Sequence, residues 1–369
     1  MNTNNVPTIC LTGGPCAGKT TILSRLQERL DDLGFAVVVV PEVATEFISS
    51  GIRPALIEPH RFQCHILEHI MAKEDRFKAL AQIMSVDKKV VICDRGAVDA
   101  AAYMSPMHFD LMLGQLGLTV VDLRDARYDG VVFLRSVAVD APHIYTCDNN
   151  KARRESVEEA CLIDECTLAA WTGHPHLRVI DNSTDLEGKS HRVLQAICRV
   201  LGIPTPLEIE KKYLVNQCDL SRLPLPHRSV EIEQYYLKTE DGKGVERIRR
   251  RSQCGGFTYY HTVKQDLRSG VRIENESQIT EAEFLILLQR ADPEFGKIGK
   301  TRYCFLWNNQ YFELDVFHNP SGLVLLEIEL TEENDLVILP DFLVGHVMDV
   351  TGSDRYSNVQ IARRIVAGV

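Results

Sequence analysis

The sequence predicts two domains of different class. The first is an α/β domain in which a parallel sheet carries helices on both faces, and the second is a mainly antiparallel β-barrel with external helices. In the first half, short apolar runs alternate with segments of helical periodicity, which is typical of strand–helix–strand units. In the second half, charged residues recur in pairs two positions apart with apolar residues between them, which is typical of strands with one polar face.

The boundary between the domains is predicted in the segment 202–206, which reads GIPTP. Its prolines end the helix predicted at 186–201, since proline cannot continue a helix. The domains are therefore expected at 1–203 and 204–369. A chain of 369 residues, 45% of them hydrophobic, is long enough to bury two cores.

The first domain opens with an apolar strand, Thr8–Thr12, followed by the segment 13–20, which fits the phosphate-binding loop motif G-x-x-x-x-G-K-[ST]. A helix with apolar residues at helical spacing follows and is predicted to stop at Gly34. In this motif backbone N–H groups wrap the phosphates, Lys19 reaches the β- and γ-phosphates, and Thr20 holds Mg²⁺. The predicted nucleotide-binding residues are Gly13, Gly14, Pro15, Cys16, Ala17, Gly18, Lys19, Thr20, Thr21 and Arg95.

Further apolar runs predict the remaining strands of a parallel sheet, whose carboxyl ends are the usual ligand sites. Asp94 stands just after one run, where a Walker B aspartate would bind Mg²⁺ directly or through water; the alternative is a strand-end turn residue. Glu42 ends the second strand and could be a general base, a metal-positioning group or a helix-start acid. Arg95 could contact a phosphate or form a structural ion pair. These runs are Phe35–Val40, Val90–Cys93, Val131–Leu134 and Leu177–Ile180.

Two further features bear on the nucleotide. Arg153 and Arg154 open a charged segment, KARRESVEEA, which could form a lid over the nucleotide or a solvated helix face. The chain lacks an N-K-x-D element, the usual guanine reader of GTPases, so the choice between GTP and ATP stays open. The arrangement of Glu42 with Asp94 and Arg95 looks like that of nucleoside and nucleotide kinases, which makes a small-molecule kinase with Glu42 as base one alternative.

The second domain carries its charge in doublets. Residues two apart on a strand point to the same face, so each doublet projects two polar groups to one side. A sheet with such a face is most simply a closed barrel with a polar lumen; the alternative is a set of strands whose charges face solvent. Mg²⁺ or Mn²⁺ would neutralise the carboxylates and the arginines would take phosphate oxygens. The doublets are Glu208 and Glu210, Arg247 and Arg249, Thr262 and Lys264, Glu274 and Glu276, Lys300 and Arg302, Glu313 and Asp315, and Glu327 and Glu329.

The doublets resemble those of the triphosphate tunnel metalloenzymes, the CYTH family, from about residue 208 to the end of the chain. The resemblance implies a tunnel in which metal assists the attack of water on phosphorus. The implied triphosphate-binding residues are Lys212, Arg247, Arg249, Lys264, Lys300 and Arg302. The implied metal-binding residues are Glu208, Glu210, Glu274, Glu276, Asp315, Glu327 and Glu329, in addition to Thr20 and Asp94 of the first domain. The predicted catalytic residues are Lys19, Glu42, Asp94, Glu327 and Glu329.

Over nearly the whole chain, the sequence resembles the TRPL translocation defect family. The segments that carry the resemblance are LTGGPCAGKTT, VPEVATEF, VICDRGAVDA and GHPHLRVIDNSTD, followed by the tunnel domain. The resemblance implies GTP binding through the segment 13–21, and binding of a phosphoinositide headgroup, placed in the tunnel domain. A nucleotide-regulated binding protein, a metal-dependent triphosphatase and a kinase therefore stay open as functions, with Mg²⁺-dependent binding of GTP or ATP and hydrolysis of a polyphosphate as the central expectation.

Composition and charge limit the classes of partner and the cellular compartment that are expected. With 41 Lys and Arg against 51 Asp and Glu, the net charge of −10 argues against nucleic-acid binding. The 11 cysteines show no C-x-x-C spacing, which fits a reducing compartment. The sequence shows no signal peptide and no apolar run of 18 residues, so a cytoplasmic protein is expected, with any membrane contact peripheral.

Overall fold

The computed structural model describes residues 6–140, 142, 145, 155–203, 209–216, 223–239, 244–268, 271–330 and 335–368, with backbone only at 265–268 and 271–274. Contacts within the chain divide it into two compact units, Met1–Leu201 and Gly202–Val369. The division falls two residues before the predicted boundary. The assignment of the units as a phosphate-loop domain and a tunnel domain stays a prediction at this stage.

In the first unit, the described residues form a parallel sheet of five strands. They are β1 (Thr8–Gly13), β2 (Ala36–Val40), β3 (Lys89–Asp94), β4 (Gly130–Leu134) and β5 (Leu177–Ile180). Their order is β2-β3-β1-β4-β5, and all neighbours run parallel. Each strand lies within one residue of a predicted apolar run. Because β1 is central, its carboxyl end, where the loop motif begins, lies between β3 and β4.

Helices cover both faces of this sheet, as predicted. Every residue of β1 and β4 is buried, which requires a cover on each face. The described helices of this unit are α1 (Lys19–Asp32), α2 (Val43–Ser49), α3 (Pro59–Ile83), α4 (Pro106–Leu116), α5 (Val120–Arg124), α6 (Val137–Asp140), α7 (Val157–Trp171) and α8 (Leu186–Val200). Helix α1 packs with α8, whereas α3 and α7 pack with a 3₁₀ segment, Ala97–Tyr103.

The ends of two helices follow from local chemistry. Helix α1 ends at Asp32, and Gly34 takes φ 81°, a left-handed conformation that glycine adopts without a steric penalty. The predicted stop is therefore confirmed. Helix α7 begins later than the charged segment suggested, because the Ser156 side chain accepts a hydrogen bond from the N–H of Glu159 and caps the first turn. Arg153 and Arg154 lie outside the described residues.

The second unit is a mainly antiparallel sheet, as predicted. Its described strands are β6 (Glu210–Val215), β7 (His227–Leu237), β8 (Val245–Gln253), β9 (Gly256–Arg268), β10 (Val271–Ile279), β11 (Ile298–Trp307), β12 (Gln310–Phe317), β13 (Val324–Glu329) and β14 (Val347–Asp349). They follow the order β10-β9-β8-β7-β11-β12-β13-β6-β14, so β10 and β14 are the edges. The described helices of this unit are α9 (Glu281–Leu288) and α10 (Asn358–Ala367).

Strand register places the charged doublets on one face. Residues directly opposite in an antiparallel pair share a face. Arg302 lies opposite Asp315, and Glu327 lies opposite both Glu313 and Lys212. Further along the sheet, Ile232 lies opposite Lys300 and opposite Arg251. We call this side the ionised face; its described charged side chains are Glu210, Lys212, Arg247, Arg249, Arg251, Lys264, Glu276, Lys300, Arg302, Glu313, Asp315, Glu327 and Glu329.

The ionised face is not a solvated surface. Lys300 is 2% exposed, Arg302 6% and Asp315 0%. The opposite face of the same strands is apolar and packs into a core with Tyr213, Leu314 and other residues of this unit. The alternative of strands with charge facing solvent is therefore excluded for this part of the sheet.

In the second unit, residues that favour tight turns predict connections at Asn308 and Asn309 and at Asp241 and Gly242. Asn308 and Asn309 take φ 50° and 60° in the tight turn between β11 and β12, a conformation that asparagine tolerates. Helix α9 begins after Thr280, whose side chain accepts from the N–H of Glu283 in a capping box. The turn predicted at Asp241 and Gly242 lies outside the described residues.

Candidate functional site

The loop 13–18 folds tightly against β4 and α7. Gly13 takes φ 144°, and a Cβ there would lie 2.1 Å from the carbonyl oxygen of Leu134. At Gly14 a Cβ would lie 2.5 Å from Oδ1 of Asp164, which accepts a hydrogen bond from the Gly14 N–H at 3.0 Å. Close approach of other chain atoms therefore requires glycine at both positions.

Lys19, the first residue of α1, lies folded onto this loop. It is 8% exposed, and its Nζ donates to the carbonyl oxygens of Gly13 at 2.9 Å and Gly14 at 3.0 Å. Burial, with a contribution from the charge of Arg95, lowers the pKa of Lys19 to about 8. The ammonium group thus lies where it can exchange the loop carbonyls for phosphate oxygens.

Glu42 and Arg95 form an ion pair beside the loop, at the carboxyl ends of β2 and β3. Arg95 Nε lies 2.5 Å from Glu42 Oε1, and its NH1 donates to the Gly13 carbonyl at 3.3 Å. Burial raises the pKa of Glu42, but Arg95, the hydroxyl of Thr45 and Lys19 outweigh burial and lower it to about 2. Glu42 is therefore a held anion and a weak proton acceptor. For Arg95, a phosphate contact and a structural ion pair were the two alternatives, and its contact with Glu42 matches the ion pair.

Asp94, the last residue of β3, differs from Glu42 in having an open oxygen. Its Oδ1 is buried and has no hydrogen-bond partner in the described part of the chain. Burial raises the pKa of Asp94, against the opposing charge of Lys19. A buried carboxylate oxygen without a donor fits a cation ligand, and Mg²⁺ prefers oxygen. Thr20, the other predicted ligand, is exposed at the start of α1.

Sequence reasoning missed the residues that hold the loop in place. Asp164 Oδ1 accepts from the N–H groups of Gly14 and Ser136, and its Oδ2 lies 3.0 Å from Arg135. Lys189 Nζ donates to the carbonyl of Ala17 at 3.0 Å, to the carbonyl of Arg135 just after β4, and to Oδ1 of Asn182 just after β5. The signal for Asp164 was present, because a charged residue stands on the buried side of α7 with Ala160 and Leu168 one turn away on each side.

A second buried carboxylate, Asp99, was also missed. It lies in the 3₁₀ segment Ala97–Tyr103 and is 3% exposed. Thr12 Oγ1 donates to its Oδ2 at 2.6 Å, and the indole Nε1 of Trp171 donates to its Oδ1 at 2.6 Å. Arg95 NH1 lies 3.5 Å from Oδ2. Asp99 thereby joins β1, the end of β3 and the end of α7.

On the ionised face of the second unit, a dense ion-pair network surrounds Arg302. Arg302 donates to Asp315 at 2.7 Å through both Nε and NH2, to Glu327 at 2.9 Å, and to Glu313. Lys300 donates to Asp315 from the other side. Burial raises the pKa of Asp315, but the charges of Arg302 and Lys300 hold it below its usual range. Asp315 is thus an ion-pair partner here, and its predicted metal role stays a prediction.

Glu327 connects that network to Lys212. Lys212 Nζ lies 3.0 Å from Glu327 and 3.2 Å from Glu210. Burial raises the pKa of Glu327, but Lys212, Lys300 and Arg302 bring it far below its usual range. Glu327 is therefore ionised over the whole physiological pH range, which suits a ligand of cations and not a proton donor.

Two pairs of carboxylates face each other across neighbouring strands. Glu313 lies opposite Glu327, and Arg302 bridges that pair. Glu329 lies opposite Glu210 at the end of β13. A pair of carboxylates across neighbouring strands supplies oxygen ligands of the kind that a divalent ion prefers. The metal role of Glu210 and Glu329 stays a prediction.

The other half of the ionised face is rich in arginine. Arg249 NH2 lies 2.7 Å from Glu276, and Arg247 NH2 lies 3.7 Å from the same carboxylate. Arg251, on the same strand, is 1% exposed. Burial is the main cause that lowers the pKa of Arg249, and the charges of Arg251, Arg247 and Arg302 add to it against Glu276. This half therefore concentrates positive charge around one described carboxylate.

The remaining predicted residues are placed as follows. Lys264 is half-buried on β9, next to Val245 of β8, and Glu274 is described by its backbone alone, opposite Lys264. Glu208 lies outside the described residues. Across the described ranges, His, Cys, Asp and Glu side chains form no cluster of three with metal-site geometry. Within these ranges, the ionised face offers its carboxylates to a metal ion in pairs.

Comparison with known proteins gives a match for the first unit. The model of a family described as an AAA domain matches residues 8–189. No curated protein sequence matches the chain. The resemblance to the TRPL translocation defect family stays a prediction.

Solved structures are similar to parts of the chain. An inorganic triphosphatase is 29% identical over 42% of this chain and 95% of its own, with a TM-score of 0.31. A Hippeastrum protein described as an adenylyl cyclase candidate with a dominant triphosphatase activity is 17% identical over 34% of this chain and 80% of its own, with a TM-score of 0.24. The NadR protein in complex with NR is 15% identical over 55% of this chain and 54% of its own, with a TM-score of 0.41.

One further property concerns membranes. Among the described helices, none combines the length and the apolar character needed to cross a bilayer.

Proposed function

We propose that the second unit binds an inorganic or nucleoside polyphosphate on its ionised face and hydrolyses it with the help of a divalent metal ion. We propose further that the first unit binds a nucleoside triphosphate, GTP or ATP, with Mg²⁺. The protein is on this view a metal-dependent phosphohydrolase joined to a nucleotide-binding domain.

The observation that carries the first proposal is the placement of Arg249. Its side chain is buried among Arg247, Arg251 and Arg302, with Glu276 as the nearby described carboxylate. Like charges that are gathered at buried positions repel one another, so a multivalent anion that contacts several of these guanidinium groups at once would stabilise this half of the face. Guanidinium groups bind phosphate oxygens two at a time, and a chain of phosphates supplies several such oxygens in a row.

The carboxylates on the opposite half suit the metal. Mg²⁺ and Mn²⁺ are commonly held by one or two carboxylates and complete their shell with phosphate oxygens. Glu210 and Glu329 form such a pair, and Glu327 next to them is held ionised by Lys212. When bound, the divalent ion would supply charge stabilisation for the attack of water on phosphorus. The protein's own contribution is to align the phosphates between the arginines and these carboxylates.

For the first unit, the balance of charge supports a requirement for Mg²⁺. Three carboxylates, those of Glu42, Asp94 and Asp99, surround Lys19 and Arg95 beside the loop. A free triphosphate would add more negative charge to this set. The unpartnered Oδ1 of Asp94 fits the Mg²⁺ that a nucleotide brings with it, while Lys19 would bind the phosphates.

We also propose a preference for GTP over ATP, binding of a phosphoinositide headgroup on the ionised face, and peripheral membrane contact. These three proposals rest on the resemblance to the TRPL translocation defect family. A phosphoinositide headgroup shares the phosphate chemistry that Arg247 and Arg249 recognise. The kinase alternative receives less support, because Glu42 is held by Arg95 and has a pKa of about 2, which makes it a weak base.

The test uses Lys19→Ala protein, in which nucleotide binding by the first unit is removed. Phosphate release from tripolyphosphate is measured with Mn²⁺ or Mg²⁺, and tripolyphosphate binding is measured by calorimetry. Arg249→Gln is expected to weaken binding by about 10- to 100-fold, as expected for the loss of charge-assisted hydrogen bonds. Arg250→Gln is the matched control, because Arg250 is the next residue, points to the other face and pairs with Glu233.

The outcomes separate the functions. Phosphate release that is lost in Glu329→Gln and retained in Arg250→Gln protein supports the hydrolase. Binding that depends on Arg249 without phosphate release makes the ionised face a ligand sensor, and binding of inositol phosphates is then compared with that of tripolyphosphate. Equal binding by Arg249→Gln and Arg250→Gln proteins would overturn the proposed site.

A further inference from the structure

Asp99 connects the phosphate loop to the core of the first unit through a single carboxylate. Its Oδ2 accepts from Thr12, the residue immediately before Gly13, and lies 3.5 Å from Arg95 NH1. Its Oδ1 accepts from the indole of Trp171, which is fully buried. The carboxylate therefore has one oxygen toward the loop and one toward the helix α7.

Arg95 is the cationic partner of Asp99 beside the loop. It takes φ 72°, a left-handed conformation that is uncommon for a residue with a large side chain and is found at functional sites. Its guanidinium contacts Glu42, the Gly13 carbonyl and Asp99 at once. The Gly13 carbonyl also accepts from Lys19. Two cations thus meet at the first residue of the loop, and the Gly13 and Gly14 carbonyls that bind Lys19 stand in for phosphate oxygens.

Asp99 can keep Arg95 beside the loop when a phosphate replaces Glu42 as its partner. A bound phosphate would compete for Arg95 with Glu42, whose ion pair is the closest contact of the guanidinium. Asp99 lies four residues after Arg95 and is held by Thr12 and Trp171, so its carboxylate stays beside the loop. A fixed carboxylate on this side restricts the guanidinium to the region beside Gly13.

We propose that Asp99 is a positioning residue that holds Arg95 toward the phosphates of a nucleotide bound at the loop, and that its hydrogen bond to Trp171 couples loop occupancy to the indole. The proposal rests on nucleotide binding by the first unit. Asp99 would thus act through Arg95, without contacting the predicted Mg²⁺ ligands itself. Trp171 emission would then report nucleotide binding.

The experiment uses full-length Trp307→Phe protein, which keeps Trp171 as its one tryptophan, since the chain has two. Binding of Mg·ATP and Mg·GTP is measured by calorimetry, and Trp171 emission is recorded during the titration. Asp99→Asn is expected to weaken binding about tenfold, because an amide cannot provide two accepting oxygens to Thr12, Trp171 and Arg95. The emission change on binding is expected in the parent and absent in Lys19→Ala protein.

A double-mutant cycle distinguishes positioning from general structural damage. If Asp99 acts through Arg95, Asp99→Asn adds no further loss of affinity in Arg95→Ala protein, whereas independent structural damage would add. Additive losses, or unchanged affinity in Asp99→Asn protein, overturn the positioning role. Should Asp99→Asn fail to fold, unchanged Trp171 emission at saturating nucleotide in the parent still overturns the coupling. If the parent binds neither nucleotide by calorimetry, the proposed function of the first unit fails, and this inference fails with it.

Discussion

Glu210 lies directly opposite Glu329 on neighbouring antiparallel strands, so that two carboxylates face each other on the ionised face. Lys212 Nζ lies 3.2 Å from Glu210 and is shared with Glu327 at 3.0 Å. Lys212 thus pairs with two carboxylates, and Glu329 lies opposite one of them. Carboxylate oxygens are the ligands that Mg²⁺ and Mn²⁺ prefer, so a divalent ion bound between these strands would add stability.

Replacing Glu329 should therefore matter most when metal is present. Without divalent ions, Glu329→Gln removes the like-charge contact with Glu210 and is expected to change stability by less than about 1 kcal/mol. With millimolar Mn²⁺, the same variant should lose most of the stabilisation that the parent gains. Thermal unfolding of both proteins, with EDTA and with Mn²⁺, measures the two effects.

Glu233→Gln is the matched control for that experiment. Glu233 lies on the other face of the same sheet and pairs with both Arg250 and Lys297. Its loss is expected to lower stability by about 0–1 kcal/mol and to leave the Mn²⁺ effect unchanged. A Glu329→Gln protein that keeps the full Mn²⁺ shift would contradict a metal site at this pair.

Binding of nucleotide to the first unit should take up a proton in mildly alkaline solution. Burial lowers the pKa of Lys19 to about 8, while phosphates would favour its charged form. Above pH 8, affinity for Mg·ATP is therefore expected to fall by up to about tenfold per pH unit. Calorimetry at pH 8.5 in two buffers of different ionisation enthalpy measures the uptake. Lys19→Arg protein should show none, because arginine stays charged.

The same shift has a consequence for stability. The folded-state pKa of Lys19 lies below the value of about 10.4 for an unfolded lysine, so the unfolded chain binds more protons between these two pH values. The contribution of Lys19 to the free energy of unfolding is therefore expected to rise with pH from about 8 to 10.4 and to be flat below pH 8. Urea unfolding of parent and Lys19→Met proteins across this range isolates the contribution, and a rise of equal slope in both would contradict it.

The sheets could be predicted from sequence because their signals are local. The strands of the first unit are apolar runs such as Val131–Leu134, and the doublets of the second unit fix which side chains share a face through the two-residue period alone. Glycine and asparagine marked turns at Gly34 and Asn308 because few other residues tolerate their φ values. Each of these signals is contained within a few residues.

The contacts within the sites could not be predicted in the same way. Asp164 reaches Gly14 across 150 positions of sequence, and nothing in the helix around it names that partner. The doublet Lys300 and Arg302 indicated cations on the ionised face, but not that both would be bound to Asp315. Partner choice depends on strand order, which the two-residue period leaves open.

Asp164 should be the residue on which the loop depends most for stability. Asp164→Ala removes the acceptor for the N–H groups of Gly14 and Ser136 and leaves Arg135, 4% exposed, without its buried partner. Breaking a buried ion pair from one side costs about 3–5 kcal/mol. We expect a loss of this size in the unfolding free energy of the first unit, measured with urea.

Glu165→Ala provides the matched control for Asp164. Glu165 is the adjacent residue and also pairs with Arg135, but its side chain is 59% exposed. An exposed ion pair contributes about 0–1 kcal/mol, so this variant should unfold close to the parent. Equal losses in the two variants would show that the Arg135 pair, and not the hydrogen bonds to Gly14 and Ser136, dominates.

Asp315 should prove to be structural before it is functional. It is 0% exposed between Lys300 and Arg302, and these charges hold its pKa below the usual range despite burial. Asp315→Asn is therefore expected to lower the unfolding free energy by about 3–5 kcal/mol with or without Mn²⁺, because it leaves two buried cations short of charge. Because the pKa of Asp315 is depressed in the folded state, its stabilising effect is present above its unfolded pKa of about 3.9 and is lost as the pH falls below that value. The Asp315→Asn protein should therefore lose part of the parent's acid sensitivity in that range.

The control is Asp341→Asn, at an exposed position of the same unit, which should change stability by less than about 0.5 kcal/mol. A metal ligand would behave differently, because its loss would abolish the Mn²⁺ effect and leave metal-free stability nearly unchanged. That outcome would support the predicted metal role of Asp315.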